Sequence, residues 1–173
     1  TGNRVRYASI ADEIGYLEKY LYLMKLRYQH KLEYTRNAEE AIKSQKVPKI
    51  VFQQIVENSI KYGFDSGRSI VKISIEGRLN REKGQWEMHF QDNGGGISQK
   101  NIEGIEERMA QMRRTLRNND TNIEMELGGM GILNTYARLV LFFGGSMEFS
   151  IKGDGEGTRV LIAAPVVFDE KRL

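Results

Sequence analysis

The chain has 173 residues, 40% of them hydrophobic, a formal net charge of +3 from 26 basic and 23 acidic side chains, and no cysteine. That length buries one substantial core, the interleaved charges give no steering field for nucleic acid, and the lack of Cys excludes disulfides and thiolate metal sites and suits a reducing compartment. No apolar run reaches the roughly 18 residues that span a bilayer, no signal peptide opens the chain and no Met leads it, so the expectation is a cytoplasmic fragment of something larger.

Ser9 and Asp12 form an S-x-x-D capping box. Behind it Ile10, Ile14, Leu17, Leu21, Met24 and Tyr28 recur at spacings of four and three, which predicts a helix over 10–28. Tyr16, Tyr20 and Leu23 add a second stripe, so this helix is expected to be covered on more than one side, either as an ordinary core helix or as a connector that also touches a preceding helical module. A short edge strand is expected over 31–36. Pro48 reads as a helix start, because the first turn leaves its missing N–H unneeded anyway, and that helix should run over 48–62 and stop at Gly63.

Val71, Ile73 and Ile75 alternate with polar residues, as do Trp86, Met88 and Phe90. These are half-buried strands joined by the polar loop Arg81-Glu82-Lys83-Gly84. Ile102, Ile105, Met109, Met112 and Leu116 predict a helix over 98–118 that breaks at Asn118-Asn119-Asp120. A further helix is expected over 131–143, ended by Gly144-Gly145, and two last strands over 147–152 and 158–164. Alternating strands have one wet face. The fold class is therefore α+β, a two-layer α/β sandwich whose mixed, mainly antiparallel sheet carries helices on one face.

Three places carry chemistry. On the helix after Pro48, Gln54, Asn58, Lys61 and Tyr62 share one stripe. An Asn amide oxygen suits a hard cation such as Mg²⁺ that bridges to phosphates, and Lys61 supplies a point charge for phosphate. Asp92, ahead of Asn93-Gly94-Gly95-Gly96, offers a carboxylate to an exocyclic amine where glycines admit a flat base; a plain glycine turn is the alternative. Gly128-Gly129-Met130-Gly131 opens a helix, where free N–H groups and the helix dipole form an anion site. It is neither G-x-x-x-x-G-K-[ST] nor G-x-G-x-x-G.

In this order the motifs resemble the ATP-binding catalytic domain of sensor histidine kinases, within the wider group that includes gyrase, Hsp90 and MutL. Gln54 to Tyr62 looks like the N box, Asp92 to Gly96 the first glycine box and Gly128 to Gly131 the second. The runs Glu13-Ile14-Gly15-Tyr16-Leu17-Glu18-Lys19-Tyr20-Leu21 and Gly131-Ile132-Leu133-Asn134-Thr135-Tyr136-Ala137-Arg138-Leu139, with Arg27-Tyr28, make LytS-type kinases the closest likeness. The resemblance covers about residues 8–165.

It implies a Bergerat-type ATP-binding fold, ATP and Mg²⁺ as ligands, Asn58 on the metal, Lys61 on phosphate and Tyr62 against adenine. Asp92 takes the adenine amine, Gly94 and Gly96 shape the pocket wall, Gly129 and Gly131 (with Gly128 beside them) hold phosphate, and Thr158 completes the adenine site through water. The implied organisation is a connector helix over 1–30, a catalytic domain over 31–165 with an ATP lid at about 97–127, and a tail over 166–173.

Where ATPases of the group have a water-activating Glu, this chain has Gln54, an amide that takes no proton at neutral pH. Phosphoryl transfer is thus favoured over hydrolysis, and Glu57 has no assigned role. His30 and His89 both read as surface residues. The acceptor histidine is expected on an upstream dimerisation module outside this sequence, which leaves the fragment alone inactive in autophosphorylation. The implied partners are that module, a second copy of the full protein and a response regulator, with membrane contact only through a missing N-terminal part. A non-catalytic ATP-responsive signalling module and an anti-sigma-type serine kinase are the alternatives.

Overall fold

Ser9 starts the first helix as the capping box predicts. Its Oγ accepts the Asp12 N–H at 3.1 Å, and α1 runs Ile10–Tyr28. The structure, a computed structural model, describes residues 6–95, 98–117, 131–153 and 156–168. Ile10, Leu17 and Leu21 of α1 enter the main core, and Ile14, Tyr20, Met24 and Tyr28 pack at its edge. The second stripe turns inward only in part: Tyr16 and Tyr20 are half-buried, but Leu23 is 58% exposed.

β1 (Tyr7–Ser9) pairs antiparallel with β3 (Lys46–Pro48) as a separate two-stranded ribbon. The main sheet has five strands: β2 (Leu32–Ala38), β4 (Val71–Asn80), β5 (Gln85–Asp92), β6 (Glu148–Gly153) and β7 (Thr158–Pro165), in the order β2-β4-β5-β7-β6. β2 lies at an edge and runs parallel to β4, while the other neighbours are antiparallel. Val71, Ile73, Ile75, Trp86, Met88 and Phe90 are buried on one face, and Lys72, Ser74 and Glu76 are exposed on the other. The buried face shares its core with α1, α2 (Val51–Asp65) and α4 (Gly131–Phe143). α3 (Gln99–Arg117) joins Met109 and Met112 to Leu133, Tyr136 and Ala137 of α4 in a smaller cluster. The two-layer sandwich with helices on one face is what the alternation predicts.

α2 differs from expectation at both ends. Pro48 belongs to β3, and the helix starts three residues later, at Val51. Gly63 does not end it: Gly63 is buried inside the helix, and a Cβ there would lie 2.7 Å from Val71 Cγ2, so close packing rather than a stop explains this glycine. The turn that launches α2 puts Ile50 in the left-handed region (φ 71°), a costly conformation for a β-branched residue.

A residue 37 positions upstream holds that turn. Ile50 N–H donates to Glu13 Oε2 at 2.9 Å, and Glu13, only 1% exposed, acts as a helix cap borrowed from α1. Burial pushes the Glu13 carboxyl above its ordinary 4.5, while the amides of Ile50, Phe52 and Val51 and the Arg138 guanidinium pull it partly back.

Removing this carboxyl leaves the start of α2 without its cap, so Glu13→Ala is expected to lose about 2 kcal/mol in urea unfolding. The raised pKa means the native state binds the proton more tightly than the unfolded chain does. Stability therefore falls as pH rises through the raised value. The stability advantage of the unsubstituted chain over Glu13→Gln should shrink as pH rises above about 4.5 and level off once the carboxylate is ionised. A widening gap would reverse this sign and refute the burial-dominated reading.

Candidate functional site

α2 and α4 pack so that residues ascending one helix meet residues descending the other. Near the first turn of α4, Gly131 sits on the Asn58 carboxamide: a Cβ at 131 would lie 2.7 Å from Asn58 Oδ1 and 2.9 Å from Nδ2. One turn along, Thr135 Oγ1 lies 3.1 Å from Gln54 Oε1 and 3.0 Å from Gly131 O. At the far end Arg138 Nη1 donates to Gln54 Oε1 at 3.1 Å, and Nη2 donates to Lys49 O. Only glycine fits at the top of this seam, where α4 begins directly over Asn58.

The Asn58 side chain is one of two groups, with Glu13 through its Oε1, that hold a buried polar atom without a hydrogen-bond partner among the described residues. In Asn58 that atom is Nδ2, an arrangement that normally carries a free-energy cost. Rotation of the carboxamide exchanges its nitrogen and oxygen, so one end of the amide is left for an incoming group. A neutral amide oxygen is a hard donor that fits Mg²⁺ keeping most of its waters. Among the described residues no cluster of three His, Cys, Asp or Glu side chains could hold a metal by itself. The phosphates of a bound nucleotide would therefore have to share the ion.

Asp92 stands one element away, as the last residue of β5, directly across from Thr158 at the start of β7. Asp92 Oδ1 accepts the Gly94 N–H at 2.9 Å and the Thr158 N–H at 3.3 Å. Burial raises this carboxyl above 3.8; the Gly94 amide, the Ser59 hydroxyl and the Thr158 amide offset part of that rise. Ser59 is the neighbour of Asn58, so a single turn of α2 touches both ends of the site. Gly157 tightens the same corner, because a Cβ there would fall 1.8 Å from the Asp92 carbonyl oxygen. Gly95 N–H donates to Ser66 Oγ at 3.0 Å, fastening the first glycine run to the end of α2.

The fold thus draws Asn58, Asp92, Gly94, Gly131 and Thr158 into one corner. Lys61 and Tyr62 also lie on α2 but are exposed, Tyr62 by 60%. Gly96, Gly128 and Gly129 lie outside the described residues, as does the end of the expected lid; α3 occupies the lid's first part. Glu57, given no role from the sequence, is exposed and accepts from Gln53 Nε2 at 2.9 Å. His30 sits exposed in a single 3₁₀ turn, and His89 on the wet face of β5 lies 3.2 Å from Glu87 Oε1. Sequence reasoning missed Ser59, Ser66, Glu13 and Arg138. Ser59, Glu13 and Arg138 stood inside runs quoted for the family likeness but were given no role there, and Ser66 carried no spacing signal.

The family described as "Histidine kinase-, DNA gyrase B-, and HSP90-like ATPase" matches residues 44–167. An "Uncharacterized sensor-like histidine kinase" of Staphylococcus epidermidis is 33% identical over 96 residues, covering 56% of this chain and 18% of that protein. "Sensor protein LytS" of Bacillus cereus is 22% identical over 165 residues, covering 95% of this chain and 26% of its own length. The chain thus spans about a quarter or less of these curated relatives. Among solved structures, full-length ShkA in complex with AMPPNP superposes with a TM-score of 0.60 at 17% identity, covering 96% of this chain and 32% of that one. A fold shared with such a structure, and a family match over most of its length, identify this chain as a member of the histidine kinase-, DNA gyrase B- and HSP90-like ATPase family.

Proposed function

We propose that this chain is the Mg·ATP-binding catalytic domain of a two-component sensor histidine kinase, which passes the γ-phosphate to a histidine on a helical dimerisation module of the full protein. The observation that carries this reading is the buried Asn58 amide nitrogen, without a partner among the described residues, under the glycine that opens α4. It is supported by the family match, by relatives named as sensor kinases and by the nucleotide analogue named in the ShkA structure.

In this reading Asp92, pinned by Gly94 and Thr158, accepts the adenine amine, with Thr158 assisting through water and Gly94 and Gly96 forming the wall. Tyr62 covers the base. Gly128, Gly129 and Gly131 present backbone N–H groups to the phosphates. Asn58 ligates Mg²⁺, and the exposed Lys61 swings its ammonium onto phosphate. Bound Mg²⁺ neutralises charge on the phosphate oxygens. The chain's own part is to orient the γ-phosphate for in-line attack by an incoming imidazole. Gln54 offers no base for water. Residues 97–127 act as the lid, 1–30 as the connector and 31–165 as the catalytic domain. The full protein works as a homodimer that hands its phosphoryl group to a response regulator, and this domain faces the cytoplasm.

Calorimetry with Mg·ADP tests the pocket. Micromolar binding, about −8 kcal/mol, is expected for the unsubstituted chain and none for Asp92→Ala; binding that survives the substitution would remove Asp92 from the adenine site. The accepting form of Asp92 is the ionised one, and its pKa lies above 3.8. Affinity should therefore be flat at high pH and fall as pH drops through the raised value. Asp92→Asn should lack that acid limb.

Gly131→Ala should push the Asn58 amide aside and weaken Mg·ADP binding at least tenfold while the circular dichroism spectrum stays unchanged. With the acceptor module supplied, Asn58→Asp should lose phosphohistidine formation. A full-length protein that binds ATP yet forms no phosphohistidine would select the non-catalytic signalling role.

A further inference from the structure

Gln54 is more than an amide standing where the ATPases have an acid. Its carbonyl oxygen is already filled: Thr135 Oγ1 and Arg138 Nη1 each lie 3.1 Å from Gln54 Oε1. Thr135 has one hydroxyl proton, shared between Gln54 Oε1 and Gly131 O at 3.0 Å, so the Arg138 N–H is the constant donor. Arg138 is itself fixed from a further direction, donating through Nη2 to Lys49 O, and the buried Glu13 carboxyl acts on it electrostatically. Residue 54 is thereby drawn into the α2–α4 seam, one helical turn of about 5.4 Å below Asn58.

We propose that Arg138, assisted by Thr135, is a positioning residue that keeps this site a transferase: it sequesters the side chain at position 54, so that no group there reaches a water facing the γ-phosphate. The inference rests on the ATP-site reading above and adds a second barrier to hydrolysis, independent of the choice of Gln over Glu. Even a carboxylate at 54 would be held by Arg138 as an ion pair, turned from the phosphate and weakened as a base.

For hydrolysis to proceed, a water oxygen must bond to the γ-phosphorus while the bond to the β–γ bridging oxygen breaks and ADP leaves. The water's proton must pass to a free base. Releasing an introduced carboxylate from Arg138 supplies that base.

The test measures inorganic phosphate release and Mg·ADP affinity on the 173-residue chain in three forms: unsubstituted, Gln54→Glu, and Gln54→Glu with Arg138→Met and Glu13→Gln. Glu13→Gln is included so that removing Arg138 leaves no buried unpaired carboxylate. Gln54→Glu alone should leave phosphate release within twofold of the unsubstituted chain. The triple variant should raise it at least about tenfold and add a limb that ascends with pH as the carboxylate ionises.

A rise as large in the single variant, or none in a triple variant that still binds Mg·ADP, would overturn the proposal. Carbon-13 NMR titration isolates the pairing itself: the introduced carboxyl should titrate lower in Gln54→Glu with Glu13→Gln than in the triple variant, which differs only at Arg138, and an equal or higher value would refute the pairing with Arg138. If the unsubstituted chain fails to bind Mg·ADP, the ATP reading itself falls, and this inference with it.

Discussion

The seating of α4 on α2 governs the rest of the site. Gly131 lies so close to Asn58 that any Cβ would displace the carboxamide, and this contact fixes where α4's free N–H groups begin relative to the side chain suited to a cation. Below it the Thr135–Gln54 and Arg138–Gln54 bonds form successive polar rungs, and Leu133 and Leu139 bury beside them. An apolar seam alone would allow the two helices to slide by a turn. Directional hydrogen bonds at defined intervals resist such a slip, because each rung would lose its partner at once.

The same network reaches α1. Glu13 caps the start of α2 and lies in the field of the Arg138 guanidinium, so one buried carboxyl contacts the launch of the helix that carries Asn58 and senses a charge on the helix that opens with Gly131. Its cost is desolvation, visible in the raised pKa, and its return is that Ile50 holds a left-handed backbone no Ile adopts unaided. The arrangement joins three helices at one polar point inside an otherwise apolar layer. Asp92 plays a comparable part at the other end of the site, tying β5 to the glycine run and to β7 with a single carboxyl group.

Most of the elements were legible because their signals are local. The 3–4 spacing of Ile10, Leu17 and Leu21 and the capping Ser9 gave α1 to the residue. The period-two alternation in β4 and β5 showed which face is wet, and hence the layer architecture. The start of α2 was misplaced because Pro48 satisfies two incompatible local rules: it suits the first turn of a helix, and it also ends a strand whose N–H is not needed. A pairing with Tyr7, 41 residues away, settled it as a strand. Gly63 misled for the same reason, since its smallness serves a contact with Val71 rather than a helix end.

By itself, the sequence determined the two-layer class, the order of the motifs and the types of residue that can bind a nucleotide, because periodicity and side-chain chemistry are properties of neighbours along the chain. Tertiary structure alone decided that Asn58 lies under Gly131 with an amide nitrogen unpartnered among the described residues, that Asp92 meets Thr158, and that Gln54 is occupied by Arg138. Each of these joins residues 66 or more positions apart. No local propensity carries information about such a pairing; it arises only when the burial of one shared core forces α2, α4 and β5 to a common corner.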